Sequence, residues 1–205
     1  MKTIGKLLGI VGLIAGLILP VQADNYEVDI KESTLKWTGK KVAGTHYGTI
    51  TFEKGNFQVI NNKITDGSFN VNMLSIVCTD LENETWNKKL VDHLKSDDFF
   101  STEEYPVSSL TLKGSEHSNG NTYLFDAELT IKGITHPLSF EADVEMNNAT
   151  ITVSGTLKID RTLYDIKYGS GKFFKSLGDN MIDDFFTLDF NLVANKSGQV
   201  TSVTK

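Results

Sequence analysis

Four histidines, a single cysteine and an excess of carboxylates are the groups in this 205-residue chain that could do chemistry. His46, His93, His117 and His136 fall in four separate segments with no HxH, HExxH or CxxC companion, so their spacing offers no ligand set for a metal ion. Cys78 has no cysteine to pair with, and its neighbours Ser75, Ile76 and Val77 suit a small buried hydrophobe. Glu128, Glu141, Asp143 and Glu145 alternate with apolar residues and so face water, where solvation accounts for them. Gly169, Ser170, Gly171 and Lys172 lack the surrounding spacing of a phosphate loop, and neither a G-x-S-x-G element nor a dinucleotide fingerprint occurs. No nucleophile is matched to a base. The expectation is a non-catalytic protein with no metal and no resident cofactor.

The elements that position these residues are strands almost throughout. Residues 24–30 read as a short lead-in. Residues 34–41 then put Leu35 and Trp37 on one side and Thr34, Lys36, Thr38 and Lys40 on the other. In residues 45–52, His46, Gly48, Ile50 and Phe52 share a side; Gly55 marks a turn, and residues 56–60 complete a hairpin. Asn61 and Asn62 are the next turn signal. Residues 64–73 face Phe69, Val71 and Met73 inward, residues 107–113 offer Leu110 and Leu112, and residues 117–121 read as an exposed turn. Residues 123–131, 138–146 and 149–159 repeat the alternation, with turns at Gly133 and Asn147-Asn148. A glycine-rich loop over residues 168–179 precedes a last strand with Phe186, Leu188, Phe190 and Leu192 inward.

Only residues 80–106 break the period of two. Trp86, Leu90, Val91 and Leu94 lie at i, i+4, i+5 and i+8, the arc of one helix face, with Asp80 as the expected cap. Pro106 returns the chain to extended structure. A lone helix with an apolar face must lay it on the sheet or across a barrel mouth, so Trp86, Leu90 and Leu94 are expected to form a helical lid. Eight or nine strands with one apolar face each, joined by short turns, make an all-β antiparallel meander. Closure into a β-barrel of about eight strands removes its edges. A two-sheet sandwich competes, without the Cys, Trp, Cys spacing that would favour it.

A barrel of this size is either plugged by its own side chains or holds one small ligand. The inward residues near mid-strand are small: Gly48, Gly67, Ala127, Ala142 and Gly155. Toward the strand ends stand Trp37, Phe52, Phe69, Phe125, Phe140, Phe186 and Phe190. Small centres with bulky flanks would leave an elongated tunnel, to which Ile50, Val71, Leu129 and Leu157 add apolar lining. Rings reaching across from facing strands would fill it instead. Spacing leaves both arrangements open; in either, the absence of inward charge means that any guest is apolar along most of its length.

Residues 1–23 have the look of a cleaved secretory signal peptide. Lys2 and Lys6 precede an apolar run at residues 7–19, and Val21-Gln22-Ala23 supplies the small residues of a cleavage site. The run is shorter than the roughly 20 residues that span a bilayer, so no stable membrane insertion of the mature protein is expected. Losing Lys2 and Lys6 makes the chain more acidic than its formal charge of −6, which argues against a nucleic-acid partner. The domain is expected over residues 24–194, with a polar, disordered tail at 195–205. No pattern assigns an oligomeric state.

The chain resembles the YceI-like family of secreted lipid- and polyisoprenoid-binding proteins. The matching stretches are STLKWTGKKVAGTHYGTITFEKGNF (33–57), ITDGSFNVNMLSI (64–76), DHLKSDDFFSTEEYP (92–106), LTIKGITHPLSF (129–140) and IDRTLYDIKYGSG (159–171). They follow in order over nearly the whole mature domain, and H-L-K-S-D-D-F-F is the most specific of them. Asn72 stands where the family often has aspartate, and Leu163-Tyr164 where a tryptophan is common. The resemblance implies a lipocalin-like barrel around a long hydrophobic tunnel for an isoprenoid chain or similar amphiphile. In that setting Asp97, Asp98 and Arg161 are expected to tie loops to the barrel rim through charge-assisted bonds, with binding of a ligand head group as the alternative role. The expected function is binding, and sequestration or transport, of a polyisoprenoid, isoprenoid quinone or similar amphiphile in a periplasmic or secreted location. The alternative is a secreted interaction or scaffold protein with a filled barrel.

Overall fold

A computed structural model describes residues 23–147 and 149–198. Residues 1–22 of the expected 1–23 leader, Asn148 of the asparagine turn and the tail beyond residue 198 lie outside the described residues. Nine strands follow in chain order: β1 (Asp24–Val28), β2 (Thr34–Lys41), β3 (Gly44–Ile60), β4 (Lys63–Cys78), β5 (Val107–Asn119), β6 (Thr122–Ile131), β7 (Ile134–Met146), β8 (Thr150–Asp160) and β9 (Phe185–Lys196). Among the described residues one α-helix, α1 (Glu84–Lys95), lies between β4 and β5. Each strand from β2 to β9 pairs antiparallel with the next, and β9 returns to β2. The sheet is a closed antiparallel barrel.

β1 and β2 share one stave. Tyr26 pairs with Phe57 and Lys196, and Leu35 further along pairs with Ile50 and Phe190. Ser33 seals the break between them, its Oγ donating to Val193 O at 3.3 Å and accepting from Val193 N at 3.0 Å. Residues 24–28 of the expected lead-in are therefore a structural strand.

Gly55 is not a turn. β3 runs unbroken through it, and a Cβ there would stand 2.6 Å from Val28 Cγ2 and 2.9 Å from Phe69 Cδ1. Glycine at this position lets β1 and the Phe69 ring close over β3. Residues 117–119 continue β5, and the chain reverses at Gly120, whose φ is 54°. β9 likewise continues through Asn195 and Lys196, where a tail was expected, and Lys196 Nζ pairs with Asp24 Oδ2 at 2.7 Å. Asn61 and Asn62 do adopt the left-handed conformation that their turn needs, at φ of 52° and 60°.

At its far end β4 carries a wide irregularity: Thr51 faces Asn72, but Thr49 faces Val77. Ser75 Oγ occupies the gap, accepting from Thr51 N at 2.9 Å and donating to Asn72 O at 2.6 Å. Such a bulge bends its strand, and here the bent end meets α1. Asn87 Nδ2 donates to Cys78 O and Leu81 O, both at 3.0 Å, and Lys95 Nζ donates to Leu74 O at 2.7 Å. The helix is capped by Asn83, whose Oδ1 accepts from Trp86 N at 3.1 Å. Asp80, the expected cap, lies four residues before the first helical residue and is engaged with β3 instead.

The interior is packed unevenly along its axis. At the β1 end Tyr26 stacks on Phe57 at 5.4 Å, Phe57 meets Phe69 at 6.3 Å, and Ile64, Ile151 and Ala194 complete a solid plug. A second core at the α1 end gathers Leu129, Ile131, Leu157, Ile159, Tyr164 and Ile166.

Candidate functional site: a cavity beneath the helix

Between these two cores the barrel is hollow. A cavity of about 460 Å³ runs from the rim at α1 toward the aromatic plug, a size within the roughly 300–1,000 Å³ of small-molecule sites. Phe57, Ile64, Phe69 and Phe125 floor it; Phe52, Val71, Leu110, Phe140, Leu188 and Phe190 wall it. Phe125 stacks on Phe140 at 5.4 Å and Phe140 meets Phe190 edge-on at 6.1 Å, so the wall is a rigid aromatic surface. Polar groups gather at the rim, among them Lys40, Lys41, His46, Asn180 and Asp183.

The structure brings Trp37, Ile50, Phe52, Phe69, Val71, Phe125, Leu129, Phe140, Leu157, Phe186 and Phe190 to this one cavity. Gly48, Ala127, Ala142 and Gly155 do not border it. A Cβ on Gly48 would collide with the Val77 carbonyl and approach Trp37 Cζ2 to 2.8 Å, so this glycine permits close strand approach. A Cβ on Gly155 would stand 3.1 Å from Phe190 Cζ and 3.2 Å from Ala142 Cβ. Ala127 and Ala142 are buried in the packed core. The small residues therefore seat neighbouring rings, and the hollow is bordered by large side chains.

The helix covers the cavity with only part of its expected face. Leu90 and Leu94 border the hollow; Trp86, in the first turn, is 61% exposed and lies under Lys89 Nζ at 4.5 Å from the ring centre. More of the roof comes from Phe99 and Phe100, which strand periodicity missed because they lie in the non-periodic turns after α1. His93, on α1, sits edge-on between Phe99 at 5.0 Å and Tyr168 at 4.5 Å, with Nε2 3.2 Å from Asp98.

Arg161 fixes the loop that completes the rim. It is almost fully buried, and its guanidinium donates to Asp183 O at 2.9 Å, Ile166 O at 2.8 Å, Tyr168 O at 2.9 Å and Ile182 O at 3.2 Å. Burial lowers its pKa, while Asp184, Asp160 and Asp183 oppose that by favouring the charge. Lys172 bridges Asp160 at 2.9 Å and Asp184 at 3.5 Å, which raises its own pKa. Val42 N donates to Met181 O at 3.0 Å and Asp183 N to Lys40 O at 2.8 Å, fastening the loop to the β2–β3 turn. Asp97 accepts from Ser101 Oγ at 3.0 Å within the roof segment.

Next to the β2–β3 turn that this loop is fastened to, His46 Nδ1 lies 2.8 Å from Asp80 Oδ2. Burial raises the Asp80 pKa, but bonds from the Tyr47 amide, the His46 ring and the Cys78 thiol outweigh it and the net shift is downward. The Cys78 thiol is raised, chiefly by burial. His117 and His136 bond the carbonyls of Gly120 at 2.8 Å and Leu163 at 3.0 Å. Among the described residues no group of His, Cys, Asp and Glu is arranged to hold a metal ion.

Comparison with known proteins agrees with this architecture. A protein of Photorhabdus laumondii, UPF0312 protein plu2095, is 27% identical over 143 residues, which is 66% of this chain and 71% of that protein. The crystal structure of BcnA from Burkholderia cenocepacia superposes with a TM-score of 0.66 at 24% identity, covering 82% of this chain and 99% of its own. A polyisoprenoid binding domain from Saccharophagus degradans, implicated in plant cell wall breakdown, superposes at 0.60 with 18% identity, covering 83% and 98%. Both structural likenesses are to the fold. The model of the YceI-like domain matches residues 26–194, and the chain belongs to that family.

Proposed function

We propose that the protein binds a long apolar ligand, a polyisoprenoid, isoprenoid quinone or similar amphiphile, in the barrel cavity and sequesters or carries it without chemical turnover. The observation that carries this reading is the cavity of about 460 Å³, whose floor and most of whose walls and roof are apolar. Burial of each methylene there gains about 0.8 kcal/mol, so a hydrocarbon chain binds with few polar contacts. The volume admits a drug-sized body, and a longer chain leaves its remainder at the mouth. Family membership and the polyisoprenoid-binding domain among the structural neighbours support the same ligand class. A barrel hollow beneath α1 speaks against the filled scaffold.

The leader pattern over residues 1–23 supports delivery to the periplasm or beyond. N-terminal sequencing of the exported protein is expected to begin at Asp24; a full-length cytoplasmic product would contradict that placement. For the ligand, mass spectrometry of an organic extract of the purified protein is expected to show a co-purified amphiphile. An empty protein that also fails to bind fluorescent lipid probes would overturn the reading.

A further inference from the structure

At the rim, His46 is held through one ring nitrogen and its other nitrogen is left over. His46 follows Gly44 and Thr45 at the start of β3, pairs with Gly39 of β2, and points to the inward side shared with Ile50 and Phe52. It borders the cavity, whereas Asp80 behind it does not. The Asp80 carboxylate accepts from Tyr47 N at 2.9 Å and from Cys78 Sγ at 3.2 Å, and lies 2.8 Å from His46 Nδ1. An ionised carboxylate can only accept, so Nδ1 carries the proton and a neutral ring presents the Nε2 lone pair. Among the described residues Nε2 has no hydrogen-bond partner, and the side chain is 28% exposed.

Resting on the cavity reading above, we propose that His46 Nε2 accepts a hydrogen bond from the polar end of the ligand. The preferred cargo is then a long-chain alcohol or another amphiphile ending in a hydroxyl. Asn180 offers an amide that can both donate and accept, and the charged rim groups offer different chemistry. Lys40 and Lys41 are exposed ammonium donors that would serve an ether or carbonyl oxygen as well as an alcohol. Asp183 is an acceptor, but its Oδ1 already takes the Phe185 amide at 3.0 Å. His46 is held in place by a mostly buried partner whose side chain is 12% exposed, and preorganisation of that kind converts a hydrogen bond into selectivity.

The test compares geranylgeraniol, its methyl ether and the matching hydrocarbon by displacement of a fluorescent lipid probe at about pH 8.5, above the ordinary imidazole range. The alcohol is expected to bind roughly three- to tenfold tighter than the ether, the range of one net hydrogen bond. In His46→Phe that preference is expected to vanish. A second readout uses the wild-type protein alone: the ¹⁵N shift of His46 Nε2 is expected to move with the alcohol and not with the ether. Equal binding of alcohol and ether, a preference that survives His46→Phe, or an unmoved Nε2 resonance would overturn the assignment and leave the cavity reading standing. Failure of all three compounds to bind would instead overturn the cavity reading, and this assignment with it.

Discussion

The Phe190 ring rests on Gly155 of the neighbouring strand, close enough that a Cβ at residue 155 would meet its Cζ at 3.1 Å. The Glu141 carbonyl stands equally near, so an added side chain must displace either the ring or the backbone beside it. Gly155→Val is expected to overpack the wall and cost on the order of 1–3 kcal/mol in a urea titration. An unchanged midpoint would mean that Phe190 does not occupy that space.

Leu110 borders the cavity and is only partly buried, so a larger side chain there extends into empty volume. Leu110→Trp is expected to leave the circular dichroism spectrum unaltered and to weaken lipid-probe binding by roughly tenfold or more, the loss of about two methylenes' burial. Unaltered affinity would place the ligand elsewhere.

Arg161 is bound to four carbonyl oxygens in the segment from Ile166 to Asp183. Its replacement by Met strands those acceptors and the Asp184 carboxylate, an effect on the order of 3–5 kcal/mol. Limited proteolysis is expected to cut Arg161→Met first between residues 166 and 183. Arg161→Lys is expected to rescue little, because one ammonium cannot reproduce a planar fork. Cleavage patterns identical to wild type would refute this role for Arg161.

Asp80 and Asp160 are both held below the ordinary carboxylate range. Burial opposes this in each, and is outweighed by bonds from Tyr47, His46 and Cys78 at Asp80 and from Thr162 and Lys172 at Asp160. A depressed folded pKa contributes stability that is complete above the unfolded value near pH 4 and is lost as pH falls through the folded one. Thermal stability is therefore expected to fall on acidification below about pH 4, and less steeply in Asp80→Asn. A variant with the wild-type slope would show that Asp80 has no part in acid unfolding.

Much of the barrel was legible because its strands alternate cleanly, as in β6, where Phe125, Ala127 and Leu129 are buried between Asp126 and Glu128. Glycines were the weak point. Gly55 reads locally as a turn, but its purpose is contact with Val28 and Phe69, which lie far off in sequence. Gly48 and Gly155 read as empty space, although the space belongs to Trp37 and Phe190 on paired strands. Phe99 and Phe100 stand in the S-D-D-F-F run, where no period betrays the side that faces inward; an aromatic pair directly after a capped helix was the available signal. Trp86 fits the helical arc by spacing, but its position in the first turn carries it beyond the rim.

Trp37 borders the cavity and Trp86 is exposed, and these are the two tryptophans of the chain. Trp86→Phe therefore leaves one fluorophore inside the hollow. Titration of this variant with a bromine-labelled hydrocarbon chain is expected to quench Trp37 saturably, and an unlabelled isoprenoid is expected to restore the emission. Quenching that is absent, or that rises linearly and ignores the competitor, would contradict the claim that the barrel carries its ligand inside.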